Sequence, residues 1–171
     1  GGAVDRVVPI TYSVDGGLES MLHRYKDWSG YSWLKLPLSS LLHNFVKFHA
    51  DCIDSQAPNG RIDLATIVPS DNLTRAFNHL DSLLRGVVGN PILSRWEWDI
   101  DFLSRNLSTS RPARGELKPS AYHVDAGVVE NTSVLLFDDT WTSGASAAST
   151  AAALKDAGAI HVTVLTLGRQ L

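Results

Sequence analysis

The chain has 171 residues, of which 44% are apolar and 19% charged. That ordinary globular balance excludes disorder, collagen and coiled coil as descriptions of the whole. Net charge is -3, from 15 basic and 18 acidic residues, which argues against a generally basic nucleic-acid binder. The one cysteine, Cys52, excludes a disulfide framework and a cysteine-based zinc site. No run of about 18 apolar residues is present to cross a membrane. Gly1-Gly2-Ala3-Val4-Asp5 does not read as a signal peptide. The expectation is a soluble cytoplasmic protein.

Residues 16–26 read as a short helix entered through a Gly-Gly turn. Residues 37–53 read as a longer helix, with Pro37 near its start and Leu38, Leu41, Leu42, Phe45, Phe48 and His49 near helical spacing. Gln56-Ala57-Pro58-Asn59-Gly60 is a turn. Leu64-Ala65-Thr66-Ile67-Val68 reads as a buried strand closed by Pro69. Leu73 to Leu84 suits a helix, with Ser70 or Asp71 as candidate cap. Residues 95–120 are irregular and basic, a long mobile loop with a helical piece around Trp96 to Leu103; loops of that length are usually functional or disordered.

The last third carries the clearest pattern. Val134-Leu135-Leu136-Phe137 is a strand buried on both faces, and Asp138 to Ser143 is a polar turn. Gly144 to Ala157 is an alanine-rich helix, closed by Gly158. Ile160 to Leu167 is a second strand. Strand, helix and strand in so short a span form a βαβ unit. The fold class is therefore α/β, with a central, mostly parallel sheet flanked by helices.

Asp138-Asp139-Thr140-Trp141-Thr142-Ser143-Gly144-Ala145-Ser146 occupies the carboxyl end of a strand, where open α/β sheets bind ligands. The helix start offers amide N–H groups and a positive dipole end to a phosphate. Gly144 permits close approach of the backbone, and Thr142, Ser143 and Ser146 add hydroxyl donors. Adjacent carboxylates do not improve a phosphate site. They make sense if the ligand also carries hydroxyls or a metal ion, as a sugar phosphate does. Neither a Walker A loop nor a dinucleotide fingerprint is present.

VLLFDDTWTSGAS, residues 134–146, resembles the 5-phosphoribosyl-1-pyrophosphate (PRPP) motif of type I phosphoribosyltransferases. Within that superfamily the chain is most similar to ComF-like proteins, without their zinc-ribbon segment. Met21-Leu22-His23-Arg24-Tyr25-Lys26-Asp27 after Tyr12, Ile67-Val68-Pro69-Ser70 followed by Arg75-Ala76-Phe77-Asn78-His79, and the segment from Arg114 to Tyr122 are similar to family segments in the same order. Ala76, Leu117 and Trp141 depart from the pattern. The resemblance implies one phosphoribosyltransferase-like domain over 1–171, with a candidate small hood over 1–35 and a flexible loop over 95–120.

The resemblance further implies roles. Asp138 and Asp139 would hold the ribose hydroxyls, and Thr142, Ser143, Gly144, Ala145 and Ser146 the 5-phosphate. Pro69, Ser70 and Asp71 would form the pyrophosphate loop, after Val68, with Arg75 beside it. Mg²⁺ would bind through substrate and water rather than directly to protein. Arg111, Arg114 or Lys118 of the basic segment could supply charge as the loop closes; Arg114 is taken as the catalytic candidate beside the two aspartates. The implied activity is transfer of the phosphoribosyl group from PRPP to an unidentified nitrogenous acceptor, with small molecules as partners. The alternative is a non-catalytic PRPP- or nucleotide-binding protein with a regulatory or DNA-uptake role. Neither membrane nor nucleic-acid partners are expected, while a homodimer is common in such folds.

Other residues read structurally. Lys26 is taken as a solvated lysine, although it could reach the site. The six histidines show no metal-ligand spacing. Trp96 and Trp98 could stack on a base but are taken as loop packing onto the core, and Cys52 is taken as a buried thiol.

Overall fold

The computed structural model describes residues 2–13, 17–27, 29–70, 78–86 and 94–170. In chain order, its main elements are β1 (Arg6–Ser13), α1 (Leu18–Asp27), α2 (Lys35–Asp54), β2 (Leu64–Ile67), α3 (His79–Leu84), β3 (Glu97–Trp98), β4 (Leu103–Arg105), β5 (Tyr122–Val124), α4 (Ala126–Val129), β6 (Ser133–Trp141), α5 (Ala145–Asp156) and β7 (His161–Gln170). Five of the strands form an all-parallel sheet in the order β1-β7-β6-β2-β3, so the chain is α/β. β4 and β5 pair antiparallel as a separate ribbon.

The apolar run at 134–137 sits next to the sheet centre and is fully buried. Side chains alternate across a strand, so each strand contributes to two cores. Leu135 and Phe137 join Ala65, Ile67, Leu165 and Leu167 under α1, α2 and α3. Val134 and Leu136 join Leu64, Val162 and Val164 under α5 and the β4–β5 ribbon. Small side chains let α5 lie close to the sheet, through Ala147, Ala151 and Leu154.

Several expectations are corrected. Residues 138–141 are not a turn: β6 continues through them. Trp96 to Leu103 holds no helix but contains β3 and the start of β4. Its indole N–H donates to Asp54 at 2.8 Å, which ties this segment to α2. That contact, and the burial of Trp96 against the α2 core, agree with packing rather than base stacking. On α2 the buried stripe is Leu38, Leu42, Val46, Ala50 and Ile53, while Phe48 is exposed. Cys52 is exposed rather than buried. α3 begins at His79, capped by Asn78, whose side chain accepts from the N–H groups of Leu80 and Asp81. Ser70 is not its cap, and Asp71 and the helix positions before Asn78 lie outside the described residues.

β1 was not foreseen. Pro9 interrupts the strand pattern of Arg6–Ser13, but β1 pairs only with β7 at the sheet edge, where a residue without an N–H is tolerated. Among the described residues no helix is long and apolar enough to cross a membrane.

Candidate functional site

β2 is followed by β3 on one side of it, whereas β6 is followed by β7 on the other. The carboxyl ends of β2 and β6 are thus the point where strand order reverses, and a crevice opens there in folds of this kind. Pro69 sharpens it. Val68 N–H still donates to Phe137 O at 2.9 Å, but Pro69 has no N–H to continue the ladder. β6 runs on past β2 as Asp138–Trp141, paired only to β7. A cavity of about 350 Å³ lies over this step, lined by Pro69, Ser70, Asp138, Asp139, the 142–147 segment, and residues of α1 and α3.

Because 138–141 is extended, the two aspartates point to opposite faces. Asp138 lies on the α5 side, half-buried, and its carboxylate accepts the Asp139 N–H at 2.9 Å. Asp139 lies on the α1/α3 side and is buried. Its Oδ2 is ion-paired to Lys26 Nζ of α1 and lies 2.9 Å from His79 Nε2 of α3. Lys26 is therefore not the solvated lysine expected: its side chain is only 18% exposed. His79 is buried as well, consistent with a structural histidine, yet both residues line the cavity.

A sequence signal for these partners existed. Lys26 follows Leu22 by four residues and adjoins Tyr25, on the buried side of α1. His79 precedes Leu83 by four residues on the buried side of α3.

The opposite wall is the entry to α5. Gly144 precedes it with φ +70°, a left-handed conformation that favours glycine. A Cβ on Gly144 would sit 2.3 Å from a ring carbon of Trp141, so the indole lies directly against the loop. This contact explains how a large residue fits at position 141: Trp141 packs toward the α5 core and is not part of the cavity lining. Thr142 and Ser143 are exposed, and Ser143 Oγ accepts the Ala145 N–H at 3.4 Å. The first-turn N–H groups of a helix have no intrahelical acceptor; in α5 they belong to Ala145, Ser146 and Ala147, which line the cavity.

The structure thus brings together Asp138, Asp139, Thr142, Ser143, Gly144, Ala145, Ser146, Pro69 and Ser70. Asp71 and Arg75 lie outside the described residues. Of the basic segment, Arg111 lines the cavity, whereas Arg114 is exposed and outside the lining. Lys118 is tied elsewhere: its N–H donates to Ser149 Oγ of α5 at 2.9 Å and its ammonium to Ser110 Oγ at 2.5 Å. Glu19 and His23 of α1, 3.7 Å apart, complete the far rim.

No group of three potential metal-ligating side chains occurs among the described residues. Asp138, half-buried at the cavity, is the kind of hard oxygen donor that a magnesium ion carried on a ligand's own oxygens would face. The comparisons with known proteins add no relative: no family model matches the chain, and no curated protein matches it significantly.

Proposed function

We propose that the chain is a type I phosphoribosyltransferase-like, magnesium-dependent enzyme. It would bind PRPP and transfer its phosphoribosyl group to a nitrogenous acceptor with release of pyrophosphate. The observation that carries this reading is one cavity at the β2/β6 step lined both by the Asp138 carboxylate and by the entry to α5. A helix entry suits a phosphate; a carboxylate suits vicinal hydroxyls. A sugar phosphate carries both in one molecule.

In this reading the 142–146 segment takes the 5-phosphate and Asp138 accepts from ribose hydroxyls. Pro69 and Ser70 border the pyrophosphate. Asp139, already held by Lys26 and His79, fixes the wall on the α1/α3 side. Magnesium, when present on the ligand, would offset negative charge on the departing pyrophosphate. Among the described residues, the cations at the cavity, Lys26 and Arg111, would offset more of it. A cavity closed by the basic segment would keep water from the anomeric carbon.

The non-catalytic reading is favoured by one observation: Arg114, the catalytic candidate, lies outside the cavity lining. Calorimetric titration of PRPP with and without Mg²⁺, on wild type and Asp138→Asn, tests binding. Magnesium-dependent binding that the variant loses supports the site. No binding by wild type sinks it. A pyrophosphate-release screen across nitrogenous acceptors then separates enzyme from binder.

A further inference from the structure

The cluster of Lys26, Asp139 and His79 joins three elements that are far apart in the sequence. One carboxylate oxygen, Oδ2 of Asp139, faces both nitrogen groups. The Asp139 side chain is 5% exposed and that of His79 7%, while Lys26 reaches the cavity with 18%. Removing one partner from a buried carboxylate is costly, because it leaves an uncompensated charge. An anion entering the cavity would compete for the Lys26 ammonium. Of the two groups that face Asp139, His79 is the one that can then become charged, since an imidazole titrates near neutrality.

We infer that Lys26 is a transferable cation: anion binding draws it from Asp139, and His79 takes up a proton to hold the carboxylate in its place. The proton comes from solvent onto the imidazole, no covalent bond to the ligand forms, and the charge beside Asp139 is conserved. This deepens the phosphoribosyltransferase reading and rests on it for the identity of the anion. Among the described residues, the groups around His79 include Asp139 of β6, with Lys26 of α1 on the same carboxylate oxygen, and Tyr25 of α1, whose hydroxyl reaches the His79 carbonyl at 3.4 Å. On its own helix, Asp81 is paired with Arg85. Asp138, Glu19, His23 and Arg111 also line the cavity.

The test is calorimetry at pH 7.5 in two buffers of different ionisation enthalpy, with Mg-PRPP and with inorganic pyrophosphate as separate probes. Wild type is expected to take up a fraction of a proton per anion bound. His79→Gln, which keeps a hydrogen-bonding side chain beside Asp139, should bind with that uptake abolished. Lys26→Gln should lose the uptake and weaken binding roughly ten-fold, the scale of one charge-assisted contact. His23→Gln, altering the other cavity histidine, should leave the uptake intact.

Equal uptake in wild type and His79→Gln overturns the inference, as does uptake lost in His23→Gln instead. Pyrophosphate binding with uptake but no PRPP binding would refute the phosphoribosyltransferase reading and leave the cation transfer standing. If neither anion binds, both fall. The ring resonances of His79 give a second readout that does not depend on the variants folding well: their pH midpoint should rise when pyrophosphate is added.

Discussion

Replacing Gly144 by alanine should be one of the more damaging single-methyl changes in this chain, and for two separable reasons. The first is the backbone. At φ +70°, a residue with a Cβ in the left-handed region costs roughly 1–2 kcal/mol. The second is contact. The new methyl would lie 2.3 and 2.4 Å from two carbons of the Trp141 ring, both too close to tolerate without displacement. Overpacking of that kind typically costs about 1–3 kcal/mol. The sum is about 2–5 kcal/mol.

A double-mutant cycle measured by urea unfolding resolves the two parts. In a Trp141→Ala background the ring is gone, so Gly144→Ala should then cost only the backbone share, about 1–2 kcal/mol. An identical cost in both backgrounds would refute the claim that the indole lies against the loop. The same substitution should also displace the 142–146 segment and, under the function proposed above, reduce PRPP affinity, which calorimetry on the folded variant would read.

The two aspartates should separate cleanly in thermal melts. Asp139→Asn leaves the Lys26 ammonium beside a neutral amide and should cost up to roughly 3–5 kcal/mol, less to the extent that Lys26 can reach water. Asp138→Asn keeps an oxygen for the Asp139 N–H and should melt within about 1 kcal/mol of wild type. Equal losses would contradict the opposite placement of the two side chains.

Asp54 accepts from Ile62 N–H, the Trp96 indole and the Arg95 guanidinium. Asp54→Ala strands the buried indole N–H and should destabilise by about 1–3 kcal/mol, seen as a lower urea midpoint with an unchanged slope.

At the start of the sheet, burial pushes the Asp5 carboxyl up. The Lys155 ammonium, the Val162 N–H and His161 more than offset it, leaving Asp5 below its ordinary value. Its stabilising contribution is thus present above the unfolded value of about 3.9 and is lost as pH falls through the lowered folded value. His161 is pushed down by burial, against the pull of Asp5 and with help from Lys155 and Arg6. Its contribution is present above about pH 6.5 and is lost as pH falls through its own lowered value. Stability should therefore fall on acidification from pH 7 to 5 more in wild type than in His161→Gln. Parallel pH curves for the two proteins would count against this.

The βαβ unit at the end of the chain could be read directly from residues, because its causes are local. An apolar run too short for a helix, an alanine-rich segment with high helix propensity and a glycine at φ +109° after it each act over a few residues. The α/β class followed from them, and so did the grouping of Asp138 and Asp139 with the 142–146 segment. The end of β6 was misread because Asp, Thr and Ser favour turns in isolation. Pairing with β7 overrides that preference through Trp141. With the strand extended, alternation sends the two aspartates to opposite faces, and they cease to be an equivalent pair.

Tertiary structure alone decided the rest. β1 reaches the sheet edge by pairing with the far end of the chain, a contact no local pattern announces. The crevice exists because strand order reverses between β2 and β6. Lys26 and His79 meet Asp139 only because α1 and α3 pack on the same face of the sheet. Residue type and spacing act through the chain's own few-residue periodicities, whereas a charge cluster is assembled by elements that neighbour one another in space and not in sequence.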